Sequence, residues 1–317
     1  MTFPPRLVPQ AGPAVWSGDS LSPADWMLPI GAEEAACLET LAAAPDDAGR
    51  ARREVPPRLV PVLQAVAERL ENGRGFVLLR GLPLDRLGAG GPEAALLALA
   101  ARLGTALPQD EGGSLLRALA GPGTPEPGPP RFQADPADAV GLLCLRQTRE
   151  GGSVALFSAA ALHNALLKAD RAALAALYEG LPQRVGQAAP VTLPVFSMAS
   201  GAFIGRCDHD AIAGEALTEP QRAALAALVA AATAPGMALR IPLHPGDLLF
   251  RNPQLVWKQA SRAEEPAAEE TRHLLRLWLA MPNSRALPES FRALFGETAA
   301  GAPRGGVQPS GHPAAGG

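Results

Sequence analysis

The chain has 317 residues, 47% apolar and 19% charged, with 28 basic against 31 acidic side chains for a net charge of −3. This is enough apolar material for a large folded domain and excludes a disordered chain. The near-neutral balance excludes a basic footprint for nucleic acid or an anionic membrane surface. Cys37, Cys144 and Cys207 have no paired spacing, so they read as free thiols of a reducing compartment.

The proline-rich lead has no apolar core of the kind a secretory leader needs, and no run of about 18 apolar residues could span a bilayer. A cytoplasmic protein without nucleic-acid or membrane partners is expected. A helix is predicted over 32–44. A second runs over 57–72, with Leu59, Val60, Leu63, Val66 and Leu70 at helical spacing, and stops at Gly73. Residues 75–83 then read as a buried strand closed by a turn, followed by a helix over 92–103 that ends at Gly104.

The proline- and glycine-rich stretch 121–130 is predicted as a surface loop. Strands follow at 139–146, 153–157, 190–197, 201–206, 238–243, 246–250, 254–258 and 272–280, interrupted by helices over 158–179 and 218–233. Many short strands joined by Pro/Gly turns imply a mainly β jelly roll with flanking helices, α+β in class. Residues 1–297 are expected to form a single domain, with 298–317 as a Gly/Ala/Pro tail.

Several segments, in order, resemble the TauD/TfdA family of Fe(II)- and 2-oxoglutarate-dependent oxygenases. They are GPAVW at 12–16, GRGFVLLRGLP at 73–83, LGTALPQ at 103–109 and DAVGLLCLR at 138–146. The pair Gly151-Gly152, SAAALHN at 158–164, PGDLLF at 245–250 and RHLLRLWL at 272–279 complete the set. The resemblance implies a double-stranded β-helix of the clavaminate synthase type, in agreement with the strand pattern, and Fe(II) and 2-oxoglutarate as cofactors.

It also implies a His-x-Asp pair and a distal His around the iron, the facial triad of non-haem oxygenases. Here the sequence departs from the family. The pair is occupied by Gln133 and Asp135, and the distal position by Lys258. Where a hydroxyl is implied for 2-oxoglutarate, two residues after the glycine pair, Val154 stands instead. Arg276 matches the arginine that holds the far carboxylate of 2-oxoglutarate. Arg272 shares its strand face, because side chains alternate.

A neutral amide is a weak ligand for Fe(II), and an ammonium repels it. Deprotonating an ordinary lysine at pH 7 costs about 4–5 kcal/mol. Loss of ordinary oxygenase chemistry is therefore expected, leaving a pseudoenzyme or a binder of a small-molecule carboxylate; the alternative is a working oxygenase with an atypical metal site. Without iron, Asp135 would be a buried unpaired anion. Lys258 is expected to pair with it, and Gln133 to donate a hydrogen bond to the same carboxylate.

The remaining candidates read as structural. His163 and His273 are expected to be framework histidines and His244 a surface residue. Asp208-His209-Asp210 reads as a solvated turn, Glu264, Glu265, Glu269 and Glu270 as a solvated acidic loop, and Cys144 as a buried apolar residue.

Overall fold

Alternation along the strands builds the two layers of the fold. In Arg272–Ala280, the side chains of Leu274, Trp278 and Ala280 join one apolar layer, and those of Leu275, Leu277 and Leu279 join another. The same division separates Leu249 from Leu248 and Phe250, and Leu78 from Val77 and Leu79. Each of these central strands is thus apolar on both faces, one turned inward between two sheets and one turned out against helices.

The structure, a computed structural model, describes residues 7–43, 55–121, 128–148, 152–186, 189–260 and 272–307. A seven-stranded sheet orders Met27–Pro29, Phe76–Arg80, Leu248–Arg251, Ala139–Arg146, Arg272–Ala280 and Thr105–Ala106 side by side. Leu116–Gly121 also pairs with Arg272–Ala280. A four-stranded sheet orders Leu239–Pro242, Ser153–Ser158, Val256–Gln259 and Phe132–Gln133. All pairings are antiparallel except Met27–Pro29 with Phe76–Arg80.

Helices Ala32–Ala42, Val60–Glu71 and Gly91–Leu103 cover the outer face of the large sheet. Helices Ala159–Ala169, Arg171–Glu179 and Glu219–Thr233 contribute to the apolar layer that includes the small sheet. Two opposed sheets with helices outside are the jelly roll that the sequence leads one to expect.

The helix expected over 158–179 is two helices. Asp170 separates them and caps the second, its carboxylate accepting from the Ala173 backbone N–H at 2.9 Å. The strand expected over 190–197 is likewise two, Val191–Leu193 and Phe196–Ala199, broken at Pro194.

Residues 298–307 are not a loose tail. Arg304 is buried and donates to Asp138 through Nε at 2.9 Å. The Gly306 N–H reaches the Pro136 carbonyl at 2.8 Å. Gly305 lies beside the same carbonyl with φ of +88°, where a Cβ would sit 2.2 Å from the oxygen, so only glycine fits. The reason is charge: a buried Asp138 needs a cation, and Arg304 supplies it. Residues 308–317, the acidic loop with Glu264, Glu265, Glu269 and Glu270, Gly151, and positions 122–127 of the expected loop lie outside the described residues.

Candidate functional site

Phe132–Gln133 is a two-residue strand, too short to hold itself. It pairs with Val256–Gln259, which places Gln133 opposite Lys258. Its other edge is held by the 208–210 segment. The Phe132 N–H donates to His209 Nδ1 at 2.9 Å, the His209 N–H donates to the Phe132 carbonyl at 3.0 Å, and Arg131 donates to Asp210 at 2.8 Å. Asp208-His209-Asp210 leads into a turn with Asp210 exposed, as expected, but its His209 is half-buried and braces the strand. Burial pushes the His209 imidazole down to about 4, with Arg131 adding to the effect, so it stays neutral and accepts from the strand.

Asp135 follows this strand and lies between the sheets. One carboxylate oxygen accepts from Arg251 Nη2; the other accepts from Arg276 Nη1 at 3.1 Å and Trp278 Nε1 at 2.9 Å. The expected Lys258–Asp135 pair is not formed. Lys258 Nζ donates to the Gln259 carbonyl at 3.2 Å, and Gln133 Nε2 donates outward to Asp210 at 3.3 Å. Arg251 displaces both. It faces inward on the same side of its strand as Leu249, it is 1% exposed, and a planar guanidinium suits a carboxylate better than a point charge.

Arg276 is anchored as well as charged. Its Nε donates to Gln109 Oε1 at 2.7 Å, and its guanidinium lies 4.5 Å from the Trp278 ring centroid. Gln109 is fixed in turn, its amide donating to the Leu115 and Arg276 carbonyls, both at 2.8 Å. The Arg276 side chain keeps 19% exposure, so one flank of it is open. Arg272 lies on the same alternation and is buried. Val154 is buried in Ser153–Ser158 opposite Ile241 and offers no hydroxyl.

Lys258 is half-buried, and the described residues place no carboxylate within ion-pair distance of it. Burial, reinforced by the positive charges of Arg251, Arg272 and Arg276, pulls its ammonium down to about 8 despite attraction from Asp135. Burial also pulls Arg251 and Arg276 below the usual guanidinium range. The site is a cationic interior centred on one acid.

Sequence reasoning missed Arg251, Gln109 and Trp278. For Arg251 a signal existed: a charged residue closing the apolar run Leu248-Leu249-Phe250 must find a buried partner. Three of the remaining readings agree with the structure. His163 is buried against Tyr178, Phe196 and Phe203, the His244 side chain is 56% exposed, and burial raises the Cys144 thiol to about 11.

These residues do not fit a divalent iron. Both oxygens of Asp135 are taken by cationic or N–H donors, Gln133 offers only an amide turned to Asp210, and Lys258 carries a proton below its titration. Among the described residues, no group of three or more His, Cys, Asp or Glu side chains could hold a metal ion. None of the described helices is long and apolar enough to cross a membrane.

No family model matches the chain. FR-33289 synthase of Streptomyces rubellomurinus is 26% identical, over 75% of this chain and 79% of that protein. Among solved structures, asparagine oxygenase with Fe(II), 2S,3S-3-hydroxyasparagine and succinate superposes with a TM-score of 0.63 at 20% identity, covering 87% of this chain and 99% of that one. The non-haem iron oxygenase OrfP, with Fe, succinate and (3R,4R)-dihydroxy-L-Arg, superposes with a TM-score of 0.60 at 16% identity over 87% and 99%. The fold of the chain is the double-stranded β-helix of the TauD-like oxygenases.

Proposed function

We propose that this chain, a double-stranded β-helix of the TauD-like kind, binds a small carboxylate and no longer performs ordinary iron- and 2-oxoglutarate-dependent oxygenation. The observation that carries the reading is the charge at the site: Arg251, Arg276 and Lys258 surround Asp135, and that one acid already has its oxygens engaged. Arg251 is consumed in holding Asp135. Among the described residues Lys258 donates to a backbone carbonyl and to no acid, and Arg276 keeps an open flank beside its bonds to Asp135 and Gln109, so these two side chains can receive an anion.

Their roles differ. Arg276 presents a rigid fork, pre-set by Gln109 and the Trp278 ring, which fixes the orientation of a carboxylate. Lys258 supplies a point charge, and an anion beside it would hold its proton more firmly than the empty site does. Asp135 serves as an anchor that keeps two arginines from repelling one another. Val154 is buried and offers the ligand no hydroxyl, which leaves its recognition to Arg276 and Lys258.

The neighbours that carry Fe and succinate favour the second reading, a working oxygenase with Gln133, Asp135 and an unorthodox third ligand. One experiment separates the two. Calorimetric titration of succinate and of 2-oxoglutarate in the presence of a chelator is expected to show saturable binding that Arg276→Met weakens at least about tenfold, a loss of about 1.4 kcal/mol. Stoichiometric iron retained through desalting after anaerobic loading, with carboxylate binding only in its presence, would overturn the iron-free reading.

A further inference from the structure

The residues at Asp135 do not merely fail to suit a metal; they already contain a cation in its place. Arg251 lies on Leu248–Arg251, between Phe76–Arg80 and Ala139–Arg146 in the middle of the large sheet, with its side chain turned into the space between the sheets. It is 1% exposed. Its Nη2 donates to Asp135, its Nη1 donates to the Val256 carbonyl at 3.1 Å, and its Nε has no hydrogen-bond partner among the described residues.

Two hydrogen bonds alone do not account for a guanidinium buried this completely. Its charge is what Asp135 requires, since a carboxylate this far from water is costly without a cation beside it. Arg276 does not replace it. That guanidinium is shared with Gln109 and the Trp278 ring, and it reaches only the other oxygen of Asp135.

We propose that the Arg251 guanidinium is the resident cation of this barrel. It occupies by covalent attachment the position beside Asp135 that an ion would need, and it closes the site to divalent metal independently of the absent histidines. The inference rests on the iron-free reading above and goes beyond it in naming the group responsible. Three consequences follow. Stability should not depend on any metal, and removing the guanidinium should leave a cavity that recognises small guanidinium-type cations through Asp135. Placing histidines at 133 and 258 should not by itself create a metal site.

The test is thermal unfolding of the wild type, Arg251→Ala and Arg251→Ala/Asp135→Asn, in chelator, with and without millimolar methylguanidinium. Arg251→Ala is expected to lose about 10 °C, and the double variant to regain about half of it. Methylguanidinium is expected to raise the midpoint of Arg251→Ala by several degrees and to leave the wild type and the double variant unchanged. Equal midpoints for wild type and Arg251→Ala, a double variant no more stable than the single, or a methylguanidinium effect shared by all three would each overturn the proposal. If Arg251→Ala is recovered only as insoluble protein, the double variant decides: soluble protein supports the proposal and insoluble protein overturns it.

A second arm uses Co(II) as a spectroscopic probe. Gln133→His/Lys258→His is expected to show no ligand-field absorption, and the same pair with Arg251→Ala to show it. Absorption in the histidine pair alone, or in neither protein, would overturn the assignment of Arg251 as the closing group. Failure of succinate to bind the wild type would remove the carboxylate-binding reading while leaving both arms intact, so the two failures are distinguishable.

Discussion

Replacing Lys258 with methionine should make the protein more stable, although it removes a charged side chain from beside an acid. The ammonium sits half-buried among Arg251, Arg272 and Arg276, and its titration is pulled from 10.5 to about 8. A depression of about 2.5 units corresponds to about 3 kcal/mol against the charged form. That figure is an upper bound, since the side chain keeps some contact with water. For a base whose folded pKa lies below its unfolded one, the penalty is fully present below about 8, shrinks as pH rises and vanishes above 10.5. Methionine has a comparable unbranched length and carries no charge to bury. Lys258→Met should therefore gain about 1–3 kcal/mol at pH 7, roughly 2–10 °C in midpoint. The gain should shrink as pH is raised toward 10. Urea unfolding of both proteins at several pH values between 7 and 10 measures this. A variant less stable than wild type at pH 7 would mean that Lys258 is paired after all, and a gain independent of pH would mean that its charge is not the cause.

Two further outcomes concern the frame around the site. His209 is neutral in the fold, with its pKa lowered to about 4 from 6.5. Stability should thus be intact above pH 6.5 and fall by up to about 3 kcal/mol as pH drops toward 4, because the unfolded chain takes up the proton first. His209→Asn should flatten that part of an acid titration followed by circular dichroism, and an unchanged slope would assign it to other groups. Arg304→Met should cost about 3–5 kcal/mol in denaturant unfolding by stranding Asp138, with Asp138→Asn recovering part in the double variant. Additive effects within about 0.5 kcal/mol would show the two uncoupled.

The layers of the fold are written in the sequence as periodicity. Leu63, Val66 and Leu70 mark a helix, and the alternation through 272–280 gives both faces of a central strand, which is why Arg272 and Arg276 could be placed on one inward face. What periodicity does not carry is which inward residue meets which. Arg276 finds Gln109 across 167 positions and Trp278 finds Asp135 across 143, and no local pattern encodes either meeting. Lys258 stands opposite Gln133, as the motif spacing suggests, but its expected partner belongs to Arg251. The expectation stopped that strand at 250, one residue before the cation that decides the site. His209 was misjudged for a related reason. A short acid–histidine–acid run looks hydrated until the two-residue strand it braces is seen beside it.

The clamp of Arg304 on Asp138 also bears on the order in which the chain is made. Asp135 and Asp138 emerge early, whereas Arg251 follows Asp135 by 116 residues and Arg304 follows Asp138 by 166. At a synthesis rate of about 5–20 residues per second, both acids exist for roughly 6–30 s without their cations. During that interval the edge strand Phe132–Gln133 also lacks Val256–Gln259, its partner in the small sheet. The segment that will carry the anchor of the site thus waits for its sheet partner, and Leu116–Gly121 waits longer still for Arg272–Ala280. Slow codons or a pause after residue 251 would prolong a state in which one acid is neutralised and the other is not, and chaperone dependence during synthesis should concentrate there.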